Sequence, residues 1–167
     1  MNIVFLDSAT LGTDISLEEF NGFGDVTKYE FTQAKDTLKR VKNADIVITN
    51  KVVISSDIMD KSNIKLICVA ATGTNNVDLE HAKSKNIEVK NVAGYSTGSV
   101  TQLTFSIVLK FMQKLEYYEN YTKEGNWEKS EIFTHLDRPF HELENKKWGI
   151  IGLGTIGKSV AKIAESF

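Results

Sequence analysis

The residues best suited to do chemistry lie near the end of the sequence, in Trp148-Gly-Ile-Ile-Gly-Leu-Gly-Thr-Ile-Gly-Lys158 and the Ser-Val-Ala-Lys-Ile-Ala164 that follows. A short apolar run, Ile150-Ile151, leads straight into Gly152-x-Gly154-x-x-Gly157. Ile156, Val160, Ile163 and Ala164 then recur on one side of a helical pattern. Gly152 permits a tight turn, Gly154 lets backbone approach a pyrophosphate, and Gly157 lets the helix lie close to the strand. The helix start offers unpaired N–H groups and a partial positive charge to the phosphates. A glycine-rich pattern alone is a weak signal that also fits a structural turn. Between a strand and a helix it points to a dinucleotide site. Such a site takes an acidic residue about 20 positions further on for the ribose, which would fall past Phe167. One strand and one helix do not make a Rossmann domain. The expectation is therefore either part of a longer polypeptide or a natural short chain that docks onto something.

The elements that would position this motif begin with short β-branched runs. Ile3–Leu6, Ile46–Thr49 and Leu66–Val69 read as buried parallel strands, and weaker strands fit Val26–Phe31 and Ile87–Val92. Helical patterns lie between them: Leu17, Phe20 and Phe23; Ala34, Leu38 and Val41; the segment from Ser55; and the segment from Leu79. Asp78 is a candidate N-cap, as is Ser55 or Ser56. Strand alternating with helix predicts a parallel sheet with helices on both faces, an α/β unit of flavodoxin-like type. Cys68 sits in an apolar run and reads as a small core residue.

From Ser99 to Lys123 a helical stretch without Gly or Pro follows. Leu103, Ile107, Phe111, Leu115 and Tyr118 recur along it, and Phe105, Val108, Leu109 and Met112 widen the apolar face. One continuous helix here would run roughly 37 Å and be buried on several sides. It reads as a spine between domains or subunits, with an ordinary core helix as the alternative. Gly125 ends it. Residues 126–147 read as an extended arm with scattered aromatics that suit contact with another surface. His135 and His141 lack a carboxylate or cysteine at ligand spacing, so no metal site is expected. The net charge of −2 gives no basic excess for nucleic acid, and one cysteine excludes an internal disulfide framework. No run approaches the roughly 20 apolar residues of a membrane span. Met1–Asp7 is too short and wrongly flanked for a signal peptide, so a cytoplasmic protein is the default expectation.

Three segments together resemble the D-isomer-specific 2-hydroxyacid dehydrogenases: Ala70-Ala-Thr-Gly-Thr-Asn-Asn-Val-Asp78, Asn91-Val-Ala-Gly-Tyr-Ser-Thr-Gly-Ser-Val-Thr-Gln-Leu-Thr104, and Gly152-Leu-Gly-Thr-Ile-Gly157. Thr49-Asn50-Lys51 is similar to the glycerate dehydrogenase and hydroxypyruvate reductase branch. The resemblance implies a flavodoxin-like substrate domain over residues 1–98 and a crossing helix with a dimerisation arm over 99–147. Residues 148–167 would open a dinucleotide-binding domain, with the active site in the cleft between domains. It implies that Ala71, Thr72, Gly73 and Thr74 present backbone N–H groups to a substrate carboxylate, where a Cβ at position 73 would block close approach. Tyr95 would face the substrate and Thr101 would lie near the cofactor. Thr155 and Ile156 would meet the pyrophosphate beside Gly152, Gly154 and Gly157. Without the resemblance, Gly73 reads as a plain turn, Tyr95 as a packing aromatic and Thr101 as a helix-start residue.

The resemblance further implies NAD or NADP as cofactor, a small 2-keto or 2-hydroxy acid as substrate, and a homodimer formed through residues 99–147. Such enzymes use an Arg for the carboxylate and a Glu-oriented His for the proton, all in the second half of the family's length. None maps here, and Arg138, His135 and His141 fall in the arm. The expected activity is hydride transfer within a complete enzyme, with residues 1–167 inactive alone. The alternative is a non-catalytic, dimerising binding or regulatory module.

Overall fold

The computed structural model describes residues 1–167, which form two compact units, residues 1–95 and 96–167. In the first unit five strands alternate with helices. The strands are β1 (Asn2–Phe5), β2 (Asp25–Lys28), β3 (Ile46–Thr49), β4 (Leu66–Val69) and β5 (Glu88–Asn91), and the helices are α1 (Ala34–Val41), α2 (Ser56–Asp60) and α3 (Leu79–Ser84). All pairings are parallel and the strand order is β2-β1-β3-β4-β5. This is the flavodoxin-like order. Val4 is in register with Val47, Val47 with Ile67, and Ile67 with Val89.

A parallel sheet covered on both faces needs apolar residues at successive positions, and β1 shows why. Ile3 and Phe5 join Ile48 on one face, while Val4 and Leu6 join Val47, Ile67 and Val69 on the other. The second face is sealed by Val41 of α1, Met59 of α2 and Ala82 of α3. Each such buried aliphatic contributes roughly 1.5–3 kcal/mol. Asp78 caps α3, its carboxylate accepting from the His81 N–H at 3.0 Å. Ser55 stands at the N-cap of α2 but makes no side-chain cap bond.

Three local expectations are corrected. The Leu17–Phe23 pattern makes no α-helix: the segment folds as one short 3-10 turn, Glu18–Gly22. The turn sets Phe20 edge-on to Phe5, with ring centroids 5.1 Å apart. Cys68 is only half-buried; it packs beside the Ile3–Phe5–Ile48 cluster, and burial, then the Glu88 charge, pushes its thiol pKa up. The spine is not one helix. The second unit contains α4 (Thr97–Met112), α5 (Leu115–Lys123) and α6 (Thr155–Ala164). Between α4 and α5, Lys114 takes the left-handed conformation (φ 52°, ψ 40°), a penalty an unbranched side chain can bear.

The break redirects α5 so that Tyr117, Tyr118 and Tyr121 gather around His135. His135 stacks on Tyr121 at 3.8 Å and hydrogen-bonds the Tyr117 hydroxyl at 2.6 Å. The Tyr118 hydroxyl donates to the Arg138 carbonyl at 2.6 Å. Gly125 follows the end of α5. Within this unit α4 is covered mainly by α6, so only Thr101 and Phe105 of α4 are buried. Leu103, Ile107 and Phe111 are exposed in the single chain. Ile150-Ile151 carries no β-ladder, because residues 96–167 include no strand to pair with it.

Candidate functional site

The carboxyl ends of β1, β3 and β4 are tied together by side chains that close backbone valences. Asp7, directly after β1 and buried, accepts from the Asn50 N–H at 2.9 Å and from the Lys51 N–H at 2.6 Å. The Thr49 hydroxyl lies 3.4 Å from the same carboxylate and accepts the Val52 N–H at 3.0 Å. The chain after β3 is then knitted to the chain after β4. Ile54 N–H donates to the Asn76 carbonyl at 2.8 Å, and Asn76 Nδ2 donates to the Val52 carbonyl at 3.0 Å. Sequence reasoning missed Asp7. Its one visible signal is an acidic residue at the end of a buried strand, and its partners lie 43 and 44 positions away. The Asn50 Oδ1, buried beside them, has no donor.

On this platform stands the segment Ala71–Thr74. Ala70 N–H still completes the ladder to Thr49 at 2.8 Å. The Ala71 carbonyl accepts from Val92 N–H at 3.0 Å, and the Thr72 carbonyl accepts from Asn91 Nδ2 at 2.6 Å. The Thr72 hydroxyl donates to the Val92 carbonyl at 3.2 Å, and the Thr74 carbonyl accepts from Val77 N–H at 3.0 Å. The carbonyls of Ala71, Thr72 and Thr74 are therefore engaged, while the N–H groups of Ala71, Thr72, Gly73 and Thr74 have no acceptor in the protein. A run of free backbone donors at the carboxyl edge of a parallel sheet can offer hydrogen bonds to an anion. A Cβ on Gly73 would meet only Asn75 Oδ1, at 3.2 Å. Tyr95, at the end of this unit, is 67% exposed.

The glycine motif lies in the second unit. Gly152 adopts φ +92°, and a Cβ on Gly157 would sit 2.1 Å from the Gly152 carbonyl oxygen. The turn and the helix are thus in backbone contact, which only glycine at 157 allows. Gly154 is the N-cap of α6 and offers no side-chain cap; a Cβ built there meets nothing within 4 Å. The first helical bond runs from Lys158 N–H to the Gly154 carbonyl at 2.9 Å, which leaves the N–H groups of Thr155, Ile156 and Gly157 free. Thr101 is in the second turn of α4, 2% exposed, and its hydroxyl has no partner. One turn later Phe105 lies 5.0 Å from the Trp148 ring and stacks on Phe167 at 5.7 Å. Of the expected site residues, Ala71–Thr74 and Tyr95 thus belong to the first unit, and Thr101 and Gly152–Gly157 to the second.

The model of the D-isomer specific 2-hydroxyacid dehydrogenase catalytic domain matches residues 3–158. The chain belongs to this family. Among relatives, a glycerate dehydrogenase of Methylorubrum extorquens is 35% identical over 98% of this chain and 52% of its own length. A hydroxypyruvate reductase of Blautia hydrogenotrophica is 34% identical over 99% and 53%. The chain spans about half the length of the curated relatives it matches. Among solved structures, an acyclic imino acid reductase in complex with NADPH and D-Arg superposes with a TM-score of 0.81 at 25% identity, covering 99% of this chain and 53% of that one. The fold is shared by the D-lactate dehydrogenase of Aquifex aeolicus, with a TM-score of 0.79 at 23% identity over 99% of this chain and 48% of that one. No helix of this member of the family is long and apolar enough to cross a membrane.

Proposed function

We propose that residues 1–167 supply the substrate-binding part of an oxidoreductase that transfers a hydride between NAD(P)H and a small 2-keto acid of hydroxypyruvate or glyoxylate type. The observation that carries this reading is the run of four acceptor-free N–H groups, Ala71 to Thr74, on the platform held by Asp7. A 2-keto carboxylate placed there would accept several of those donors, and Tyr95 would stand over the substrate. The names of the family's relatives, glycerate dehydrogenase and hydroxypyruvate reductase, support the substrate class.

The residues present fit a dinucleotide. Gly157 seats α6 against the Gly152 turn, Gly154 leaves open space, and the free N–H groups of Thr155, Ile156 and Gly157 would hold the pyrophosphate, with Thr101 near the nicotinamide end. When bound, the nicotinamide supplies the hydride chemistry. In this reading residues 1–98 are the substrate domain, 99–147 the crossing element and dimerisation arm, and 148–167 the opening of the dinucleotide-binding domain. The proton donor lies outside the residues named here, so residues 1–167 alone turn nothing over. The complete polypeptide assayed with NADH or NADPH should oxidise the cofactor only when hydroxypyruvate or glyoxylate is added. Absence of that dependence with every small 2-keto acid tried would refute the assignment.

A second reading, a dimerising module without catalysis, draws on the apolar surface of α4 (Leu103, Ile107, Phe111) and of the arm (Phe133, Leu136). In either reading a homodimer is expected, and a monomer by light scattering at micromolar concentration would count against it. The intact mass of the native polypeptide separates the two. A mass near twice 18.7 kDa favours the enzyme; 18.7 kDa favours the module.

A further inference from the structure

The sheet order places its switch point between β1 and β3, the position at which parallel α/β sheets open a crevice beyond their carboxyl ends. Such a crevice is present between α1 and α2, with a volume of about 590 Å³, inside the range of small-molecule sites. None of the residues Ala71–Thr74 lines it. Its walls are apolar: Phe31 from the chain after β2, Leu38 of α1, Val53 from the chain after β3, and Ile58 of α2. Phe31 and Val53 are 69% and 60% exposed, apolar surface that nothing within the first unit covers.

The charged groups on the crevice are Asp7, Asp57 and Lys51. Asp57 is paired with Lys61 at 2.6 Å. Asp7 is surrounded by the N–H donors of Asn50 and Lys51. Neither Asp7 nor Lys51 has an opposite charge within ion-pair distance; the Asp7 carboxylate is buried, and Lys51 is exposed. A largely apolar slot whose exposed unpaired charge is a lysine is complementary to a molecule with one anionic end and an apolar body.

We propose that this crevice is a second ligand site of the first unit, taking a short monocarboxylate with an apolar tail. The carboxylate pairs with the Lys51 amine and the tail lies between Phe31, Leu38, Val53 and Ile58. Because the Lys51 backbone is itself held by Asp7, a ligand here rests on the same segment, Asn50–Val53, that adjoins the Ala71–Thr74 loop. The site stands independently of the hydride-transfer reading, since it needs neither dinucleotide nor turnover.

The test is a titration of the isotope-labelled full chain with hexanoate and phenylacetate, followed by amide chemical shifts, with hexylamine and acetate as controls. Saturable shifts are expected at Phe31–Leu38 and Lys51–Ile58 with both tailed acids. Acetate should bind at least about tenfold more weakly, and hexylamine should give no saturable shift. Lys51→Met, at an exposed position, should weaken hexanoate by about tenfold, the loss expected for one charge-assisted contact. Shifts that do not saturate, an equal response to hexylamine, unchanged affinity in Lys51→Met, or shifts confined to Ala71–Thr74 would each overturn the proposal. The last result would instead support the carboxylate role of that loop.

Discussion

Replacing Asp7 by Ala tests whether the candidate site is held together by one buried carboxylate. In the native protein Asp7 receives two backbone N–H groups, from Asn50 at 2.9 Å and Lys51 at 2.6 Å, in a partly buried setting. Alanine leaves both donors without an acceptor, at about 1–3 kcal/mol each. The variant recovers the cost of burying a carboxylate, so the net loss is set at about 2–4 kcal/mol. Against the 5–15 kcal/mol typical of a domain, that is a large fraction. Asp7→Asn keeps the shape and one carbonyl acceptor but turns an amide N–H toward the second donor, so an intermediate loss is expected. Both tryptophans, Trp127 and Trp148, lie in the second unit and would not report this change. Urea unfolding should therefore be followed by far-UV circular dichroism, where a lower midpoint at unchanged slope signals lost stability. Amide hydrogen exchange supplies the local readout: protection at Asn50 and Lys51 should fall further than in β3 or β4. A change in stability below about 0.5 kcal/mol, or unchanged protection at those two amides, would refute the reasoning.

Three further outcomes follow from the same geometry. Gly157→Ala would stabilise an ordinary helix by about 1 kcal/mol, but a Cβ 2.1 Å from the Gly152 carbonyl oxygen reverses the sign; cofactor affinity of the complete polypeptide, read by NADH fluorescence titration, should drop at least about tenfold, and unchanged affinity would show that the contact is not needed. Thr101→Val replaces a buried, unpartnered hydroxyl by a methyl and should raise the thermal midpoint, with a gain of about 1–2 kcal/mol; a loss would mean the hydroxyl has a partner after all. The Asp45 carboxyl is held below the ordinary carboxylate range by its hydrogen bond from Lys65 at 2.7 Å and then by the Asn2 N–H. Its folded-state pKa is lowered, so its stabilisation is present above the unfolded carboxylate pKa of about 4 and is lost as pH falls through the lower folded value. Asp45→Asn should flatten that acid limb of the stability–pH curve, and identical limbs in the two proteins would contradict the assignment.

Much of this organisation is legible in one dimension because it rests on local periodicity. The apolar runs Ile46–Thr49 and Leu66–Val69 are strands at those same bounds, since a doubly covered parallel strand must be apolar at successive positions. Ala34, Leu38 and Val41 mark α1 by helical spacing, and Asp78 caps α3 because its oxygen reaches the His81 N–H three positions on. The glycine motif is equally local, for the Gly157–Gly152 contact spans one turn and the first turn of a helix. Where non-local surfaces decide, the sequence is mute. No Gly or Pro announces the left-handed Lys114; the aromatic stack around His135, brought from 18 positions away to Tyr117, gives that break its partner. Leu17, Phe20 and Phe23 share the spacing of a helix, yet the ring of Phe5 requires Phe20 in a tighter turn. Asp7 is an unremarked acid until the β1–β3 pairing brings the Asn50 and Lys51 amides to it. Periodicity and spacing thus determined which elements form, because those choices depend on neighbours a few residues away. Which carboxylate holds the Asn50–Lys51 segment, and which backbone donors keep no acceptor in the protein, was decided by the sheet, because strand pairing brings residues 7, 50 and 71–74 to a common edge.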